Sequence, residues 1–391
     1  MEHAPQPSFS RNQTGAALFI GSTALLMLGL QPILLGELVE TRIVTMEGVG
    51  IVAMGEIMAL GIGAALSDAV LPLARYRLVT VLATLAAALL DVLTCNATSD
   101  GNLVALRAMA GLAEGVLVWV ATSIIVRSRM PDRLAAVFVI VQTLSQSGVA
   151  ASLAQWIVPR GGWQGGFLAL ALTTLFSAVL VPWLPLQLKP LRAAAAATSK
   201  WSAAAVLALA VAFLQMAANG CLWAYLEPLG LRAGFDAQGA QTVISAVLLL
   251  QLAGGIAAAL LVRRLAVVPT LCIGASVVAA AAGGIYLLPP GATAKFALLC
   301  GVFGFAWLFL MPFNVALAFR GDASGRAAML VPAAQLLGSA SGPLMASLIV
   351  NGDDASAVPL VSIAFAVAAA ASILLFRAQT RHVSENEWRT S

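Results

Sequence analysis

The stretch "LVALRAMAGLAEGVLVWVATSIIV" occupies Leu103–Val126, with no proline and no charge other than Arg107 and Glu114. As a helix it rises roughly 36 Å, enough to cross a hydrocarbon core of about 30 Å. An arginine or carboxylate placed at the centre of a bilayer costs roughly 2.5–3.5 kcal/mol even on insertion scales. A span of this kind therefore gives its two charges partners, a task, or both.

The rest of the chain repeats the pattern. Of its 391 residues 61% are hydrophobic and 10% charged, and the mean hydropathy is +0.95; a soluble domain carries about 25% charge. Breaks at glycine, proline and charge divide the sequence into twelve apolar segments. In the first half these are 15–38, 46–68, 77–96, 102–127, 133–157 and 163–186. In the second they are 202–227, 237–262, 267–288, 293–318, 326–350 and 356–377. The strict alternation of a membrane barrel is absent, so the expected fold class is an all-α polytopic membrane protein. A basic, Pro- and Ala-containing linker, 187–200, separates an N-terminal six-helix bundle, 1–186, from a C-terminal one, 201–391.

The pI near 9.1 does not point to nucleic acid, because the basic residues are segregated by side. Sixteen fall in the termini, the linker and alternate loops, among them Arg75, Arg77, Arg127, Arg133, Arg263, Arg264 and Arg326. The opposite loops hold only Arg42, Arg160, Arg232 and Lys295. The positive-inside rule then places both termini in the cytoplasm, and the expected location is a bacterial inner (plasma) membrane. The N-terminus lacks a charged-then-apolar secretory leader and reads as uncleaved. Four cysteines, Cys95, Cys221, Cys272 and Cys300, show no metal or redox spacing, and both histidines lie in the tails. No P-loop, zinc-protease or serine-elbow motif is present, so neither an enzyme nor a metal or other cofactor is expected.

Polar groups inside the spans carry the chemistry. Positions seven apart return to one helix face, so Arg107, Gly111, Glu114 and Gly115 form one stripe. Arg107 and Glu114 lie roughly 10 Å apart along the axis, which makes direct pairing strained and favours partners on other helices. Glu56 sits mid-span in "VAMGEIMALG"; Asp91 and Glu37 lie nearer the outer ends and read more readily as interface-level than functional residues. Yet Arg107 lies at about the depth of Asp91, and one of these three acids is expected to hold it, with Glu56 or Glu114 left to titrate. Desolvation disfavours the charged form of a carboxyl and a nearby cation favours it. A movable pairing among Glu56, Arg107 and Glu114 thus meets the requirement for proton coupling, although purely structural ion pairs use the same ingredients.

The second half is rich in neutral polar groups. Gln215, Asn219 and Trp223 climb one face of the seventh segment, and Tyr225 reads as an interface aromatic. Trp307 and Asn314 share a face of the tenth, and Gln335, Ser339 and Gly342 a face of the eleventh. Gln142 and Gln146 pair on the fifth, and Gln31 precedes Pro32 on the first. Such residues also serve as bonds between membrane helices. As a cavity wall, the amides and aromatics suit a substrate with an apolar body and a few polar groups.

Several segments resemble the major facilitator superfamily. "LRAMAGLAEG" is similar to that family's fourth-helix motif, an arginine followed by glycine four residues later, here Arg107 and Gly111. "GGWQGGFLALAL" resembles its entry to the sixth helix, and "GAALSDAVLPLARYRLV" its loop between helices two and three, with Asp68 matching and Arg75 and Arg77 arriving late. The antiporter signature of helix five is absent from "VQTLSQSGVAASLAQ", which leaves the direction of transport open. The resemblance implies two six-helix bundles facing a central cavity lined by helices one, four, five, seven, ten and eleven. It implies secondary transport of a small molecule by a monomer in the lipid bilayer, and conformational control through Asp68, Arg75 and Arg77. The expected substrate contacts are Gln31, Gln142, Gln146, Gln215, Asn219, Trp223, Trp307, Asn314 and Gln335. The leading expectation is proton-coupled export of an amphiphilic neutral or cationic compound. The alternatives are uptake of an organic acid anchored by Arg107, and a receptor or scaffold that does not transport.

Overall fold

The computed structural model describes residues 9–188, 201–322 and 325–390. The expected linker, 187–200, therefore lies almost wholly outside the described residues. By contact the chain forms two compact units, Met1–Val44 with Gly55–Ala194 and Thr45–Met54 with Ala195–Ser391.

The first unit draws on α1 (Arg11–Ala24), α2 (Leu26–Glu40), α3 (Met46–Val70), α4 (Tyr76–Thr94), α5 (Asp100–Arg127), α6 (Pro131–Ser152) and α7 (Val158–Ala178). The first two and a half turns of α3 group with the second unit. That unit holds α8 (Ala203–Ala224), α9 (Leu226–Arg232), α10 (Ala237–Leu261), α11 (Val267–Tyr286), α12 (Thr293–Gly321), α13 (Arg326–Ser347) and α14 (Val358–Thr390). Among the described residues, ten segments are long and apolar enough to cross a membrane. One of them, Arg133–Trp183, contains two expected spans joined by a π-turn and a kink at Gly162, where φ is +58°. The remaining expected span is α13, whose Gln335, three serines and two internal prolines make it less apolar.

Helix starts follow local chemistry. Ser10 and Gln13 form a capping box on α1, and the side chains of Ser99, Ser202 and Asp236 accept from the first turns of α5, α8 and α10. The first span of each half is broken. Leu25 (φ −101°, ψ 4°) separates α1 from α2, and Tyr225 (φ −107°, ψ 14°) separates α8 from α9. Interrupted spans at matching places in two halves mark the binding regions of secondary transporters.

Lipid offers no hydrophobic drive for helices to associate, so small residues that admit a neighbouring backbone decide the packing. On α13, Gly338 and Gly342 lie so close to α8 that added Cβ atoms would strike the carbonyls of Phe213 and Ala217. The core of the first unit gathers around Ile20, Tyr76, Trp119 and Ile124. That of the second gathers around Val211, Leu271, Phe313, Val331 and Phe376.

Candidate functional site

The same close packing builds the charged site in the first unit. A Cβ on Gly111 would collide with the carbonyl oxygen of Glu56, and one on Gly115 with that of Leu60. Without those side chains α5 lies directly on the backbone of α3, which carries Glu56 to Arg107. The guanidinium then donates to three carboxylates. Nη1 reaches Asp91 Oδ1 at 2.6 Å, and Nη2 reaches both Glu56 Oε1 and, at 3.2 Å, Glu114 Oε1. Arg107 is 0% exposed, Glu56 1%, Asp91 3% and Glu114 6%, so water does not screen the cluster. Phe167 of α7 closes one side, its ring centroid 5.3 Å from the guanidinium carbon. The Gln31 side chain lies beside Glu56. Arg107 Nε and Glu114 Oε2 have no hydrogen-bond partner.

Two expectations change here. Asp91, read as an interface residue, is buried and ion-paired, because α4 packs on α5 at this level. Arg107 and Glu114, thought too far apart to pair directly, do meet across nearly two turns of one helix. Both side chains are long, and a helical glutamate leans toward its own N-terminus, which closes the axial gap. Glu37 is half-buried.

The other polar residues of the first unit divide. Gln146 is buried and its amide donates to Leu25 O at 2.6 Å, at the break between α1 and α2. Gln142 is half-buried. Arg77 Nε donates to Leu184 O at 2.7 Å, whereas Arg75 is exposed. The side chain of Asp68 lies outside the described residues.

In the second unit, Asn314 Nδ2 donates to Gln215 Oε1 at 2.8 Å, joining α12 to α8. Gln215 Nε2, Asn314 Oδ1 and Gln335 Nε2 are buried with no hydrogen-bond partner. Gln215 and Asn219 border a void of about 10 Å³. Trp223 and Trp307 meet edge to face, with centroids 5.7 Å apart, and Phe303 lies 5.8 Å from Trp307. The two tryptophans thus form one aromatic corner, beyond the amide neighbour that spacing gave each. Tyr225 is fully buried and not at an interface, because it sits at the α8–α9 break; a Cβ on Gly50 would lie 2.8 Å from its hydroxyl.

One buried acid escaped the sequence reading. Glu227, in the first turn of α9, is fully buried and accepts from Gln241 Nε2 of α10 at 2.8 Å. Its signal was faint, since it follows an apolar run as interface acids also do.

The sequence profile of the Major Facilitator Superfamily matches residues 14–343. No curated protein sequence matches the chain. Among solved structures, the nucleoside transporter NupG superposes with a TM-score of 0.71 at 14% identity, over 94% of this chain and 98% of its own. The D-xylose–proton symporter gives 0.67 at 15% identity, over 93% and 96%. A bacterial homologue of the human lysosomal transporter Spinster, inward-facing and occupied, gives 0.62 at 15% identity, over 94% and 96%. At these identities the likeness concerns the fold.

Proposed function

The chain belongs to the Major Facilitator Superfamily, and from that premise we propose that it is a proton-coupled secondary transporter of a small organic molecule, with Glu56, Arg107 and Glu114 as the coupling centre and Asp91 as a fourth member. One observation carries this reading. Three carboxylates surround a single guanidinium, so with every group ionised the buried cluster holds one positive and three negative charges, a net −2. Uncompensated charge of that kind costs several kcal/mol per ion. Protons are the ligands that relieve it, and any conformational change that draws a carboxyl away from Arg107 alters how many are held. A transporter of this fold needs that exchange to couple proton movement to alternating access.

The substrate reading rests on the second unit. Besides the Glu227–Gln241 pair beside the α8–α9 break, its buried polar groups include the amides of Gln215, Asn219, Asn314 and Gln335, and Asn219 lies one turn from Trp223 of the Trp223–Trp307 corner. These suit an amphiphilic molecule with an aromatic or alicyclic body. Arg107 already has three carboxylate partners, which argues against its anchoring an organic acid. Export of a neutral or cationic compound is the direction that an acid-rich centre favours, since a cation and a proton can compete for the same negative charge.

The test begins with a thermal-shift screen of purified protein against neutral, cationic and anionic aromatics at two pH values. The compound that stabilises most is then followed in proteoliposomes carrying a pH gradient. Glu56→Gln, Asp91→Asn and Glu114→Gln should each keep the fold, and at least one should abolish gradient-driven accumulation while permitting exchange. If all three variants still concentrate the compound, the cluster is structural and the coupling reading fails. Trp307→Ala should weaken binding several-fold, as an aromatic contact worth about 0.5–1.5 kcal/mol requires. Unchanged binding in both Trp307→Ala and Trp223→Ala would return the corner to packing.

A further inference from the structure

The second unit carries a groove that neither the amide cluster nor the charged cluster uses. It runs between α10, α11 and α12, encloses about 590 Å³, and is lined by apolar side chains such as Leu250, Ile273, Leu298, Val302, Phe305 and Phe309. Its one hydroxyl, on Thr270, is satisfied by the carbonyl of Ala266. The α12 residues lie on a single stripe, and from Leu298 to Phe309 that stripe extends roughly 16 Å, about the depth of one leaflet. Two glycines help to hollow the surface. A Cβ on Gly301 would come within 2.8 Å of Leu250 Cδ1, and one on Gly274 would press into Leu310. A flat helix surface meets the bilayer as a whole, whereas a furrow of this depth selects a single chain.

One end of the furrow is marked by charge. Leu265 lines it, and the two residues before Leu265, in the turn from α10 to α11, are Arg263 and Arg264. Both are exposed, and neither makes an ion pair among the described residues. Two adjacent guanidiniums present paired donors that match the oxygens of a phosphate. The opposite end, near Ala297, has only the ammonium of Lys295 two residues away. We propose that this furrow is a binding site for one anionic phospholipid, with an acyl chain along α12 and its phosphate held by Arg263 and Arg264.

The proposal is tested by native mass spectrometry of the full-length protein, titrated with phosphatidylglycerol or with phosphatidylcholine of the same acyl chains. Wild type should retain one phosphatidylglycerol, with a preference on the order of thirtyfold over phosphatidylcholine, the size expected for two basic residues near a lipid surface. Arg263→Gln with Arg264→Gln should erase the preference, while Lys295→Gln should leave it unchanged. Val302→Trp should lower retention of both lipids by filling the furrow. These positions are exposed, so melting temperatures in phosphatidylcholine nanodiscs should match wild type; Leu298→Trp replaces Val302→Trp should the latter fail to fold. Equal retention of the two lipids, a preference that survives the double substitution, or undiminished retention in the tryptophan variant would each overturn the site. So would displacement by glycerol phosphate, a headgroup without chains, which would leave the arginines as a surface anion site alone.

Discussion

One guanidinium gathers groups from four helices: Glu56 of α3, Asp91 of α4, Glu114 of its own α5 and the ring of Phe167 on α7. Removing it should therefore be far worse than neutralising any one acid. Arg107→Ala strands three buried carboxyls and should destabilise by about 3–5 kcal/mol, read as a large fall in melting temperature in detergent. Glu114→Gln keeps its shape and leaves Arg107 with two carboxylate partners, so its melting temperature should stay near wild type. If the two variants melted alike, the cluster would not be held together by Arg107. The charges of this site were legible because a charge inside an apolar span is rare enough to stand out. Their pairing was legible only in part: a partner for Arg107 among Glu56, Asp91 and Glu37 is expected from depth, but not two of them together with Glu114. Helical spacing tells which residues share a face of one helix but not which neighbouring helix that face meets. Depth alone therefore leaves Asp91 between an interface residue and a partner of Arg107, and gives no sign that a glutamine fourteen residues after Glu227 binds it.

At the scale of the elements, two kinds of residue set the geometry. Glycines on α5 admit α3, and an amide on α6 supports the break in the first span. Gly115→Val would thrust a branched side chain at the carbonyl of Leu60. Overpacking of that kind costs about 1–3 kcal/mol, and it would also push Glu56 away from Arg107, so gradient-driven transport should fall with stability. Gly148→Ala, at a position with open space around it, is the matched control and should leave both unchanged. Gln146→Ala removes the donor to Leu25 O and should cost about 1–3 kcal/mol if the carbonyl finds no other partner. A variant as stable as wild type would show that water or another donor serves that carbonyl. Segment ends and spacing were readable, since glycine, proline and charge punctuate them. The breaks at Leu25 and Tyr225 were not, because neither residue is a helix breaker. Meanwhile α2 runs on through Pro32, the one residue there that looks like a stop.

For the whole molecule, the twelve-span plan follows from the sheer excess of apolar segments, and the family match agrees with it. Orientation rests on charge alone: sixteen basic residues lie in the termini, linker and alternate loops and four in the opposite loops. The bias acts during insertion, when positively charged loops resist translocation, so it leaves no mark on helix geometry and must be measured in a membrane. We predict that both termini and the 187–200 linker face the cytoplasm. A single cysteine at Thr198, in a background with Cys95, Cys221, Cys272 and Cys300 replaced, should be protected from an impermeant maleimide in intact cells and should react once the membrane is opened. A second cysteine variant at Asp353, in the loop between α13 and α14, should show the opposite pattern, because an odd number of spans, α8 with α9 through α13, separates it from the linker. Labelling of Thr198→Cys from outside would invert the topology.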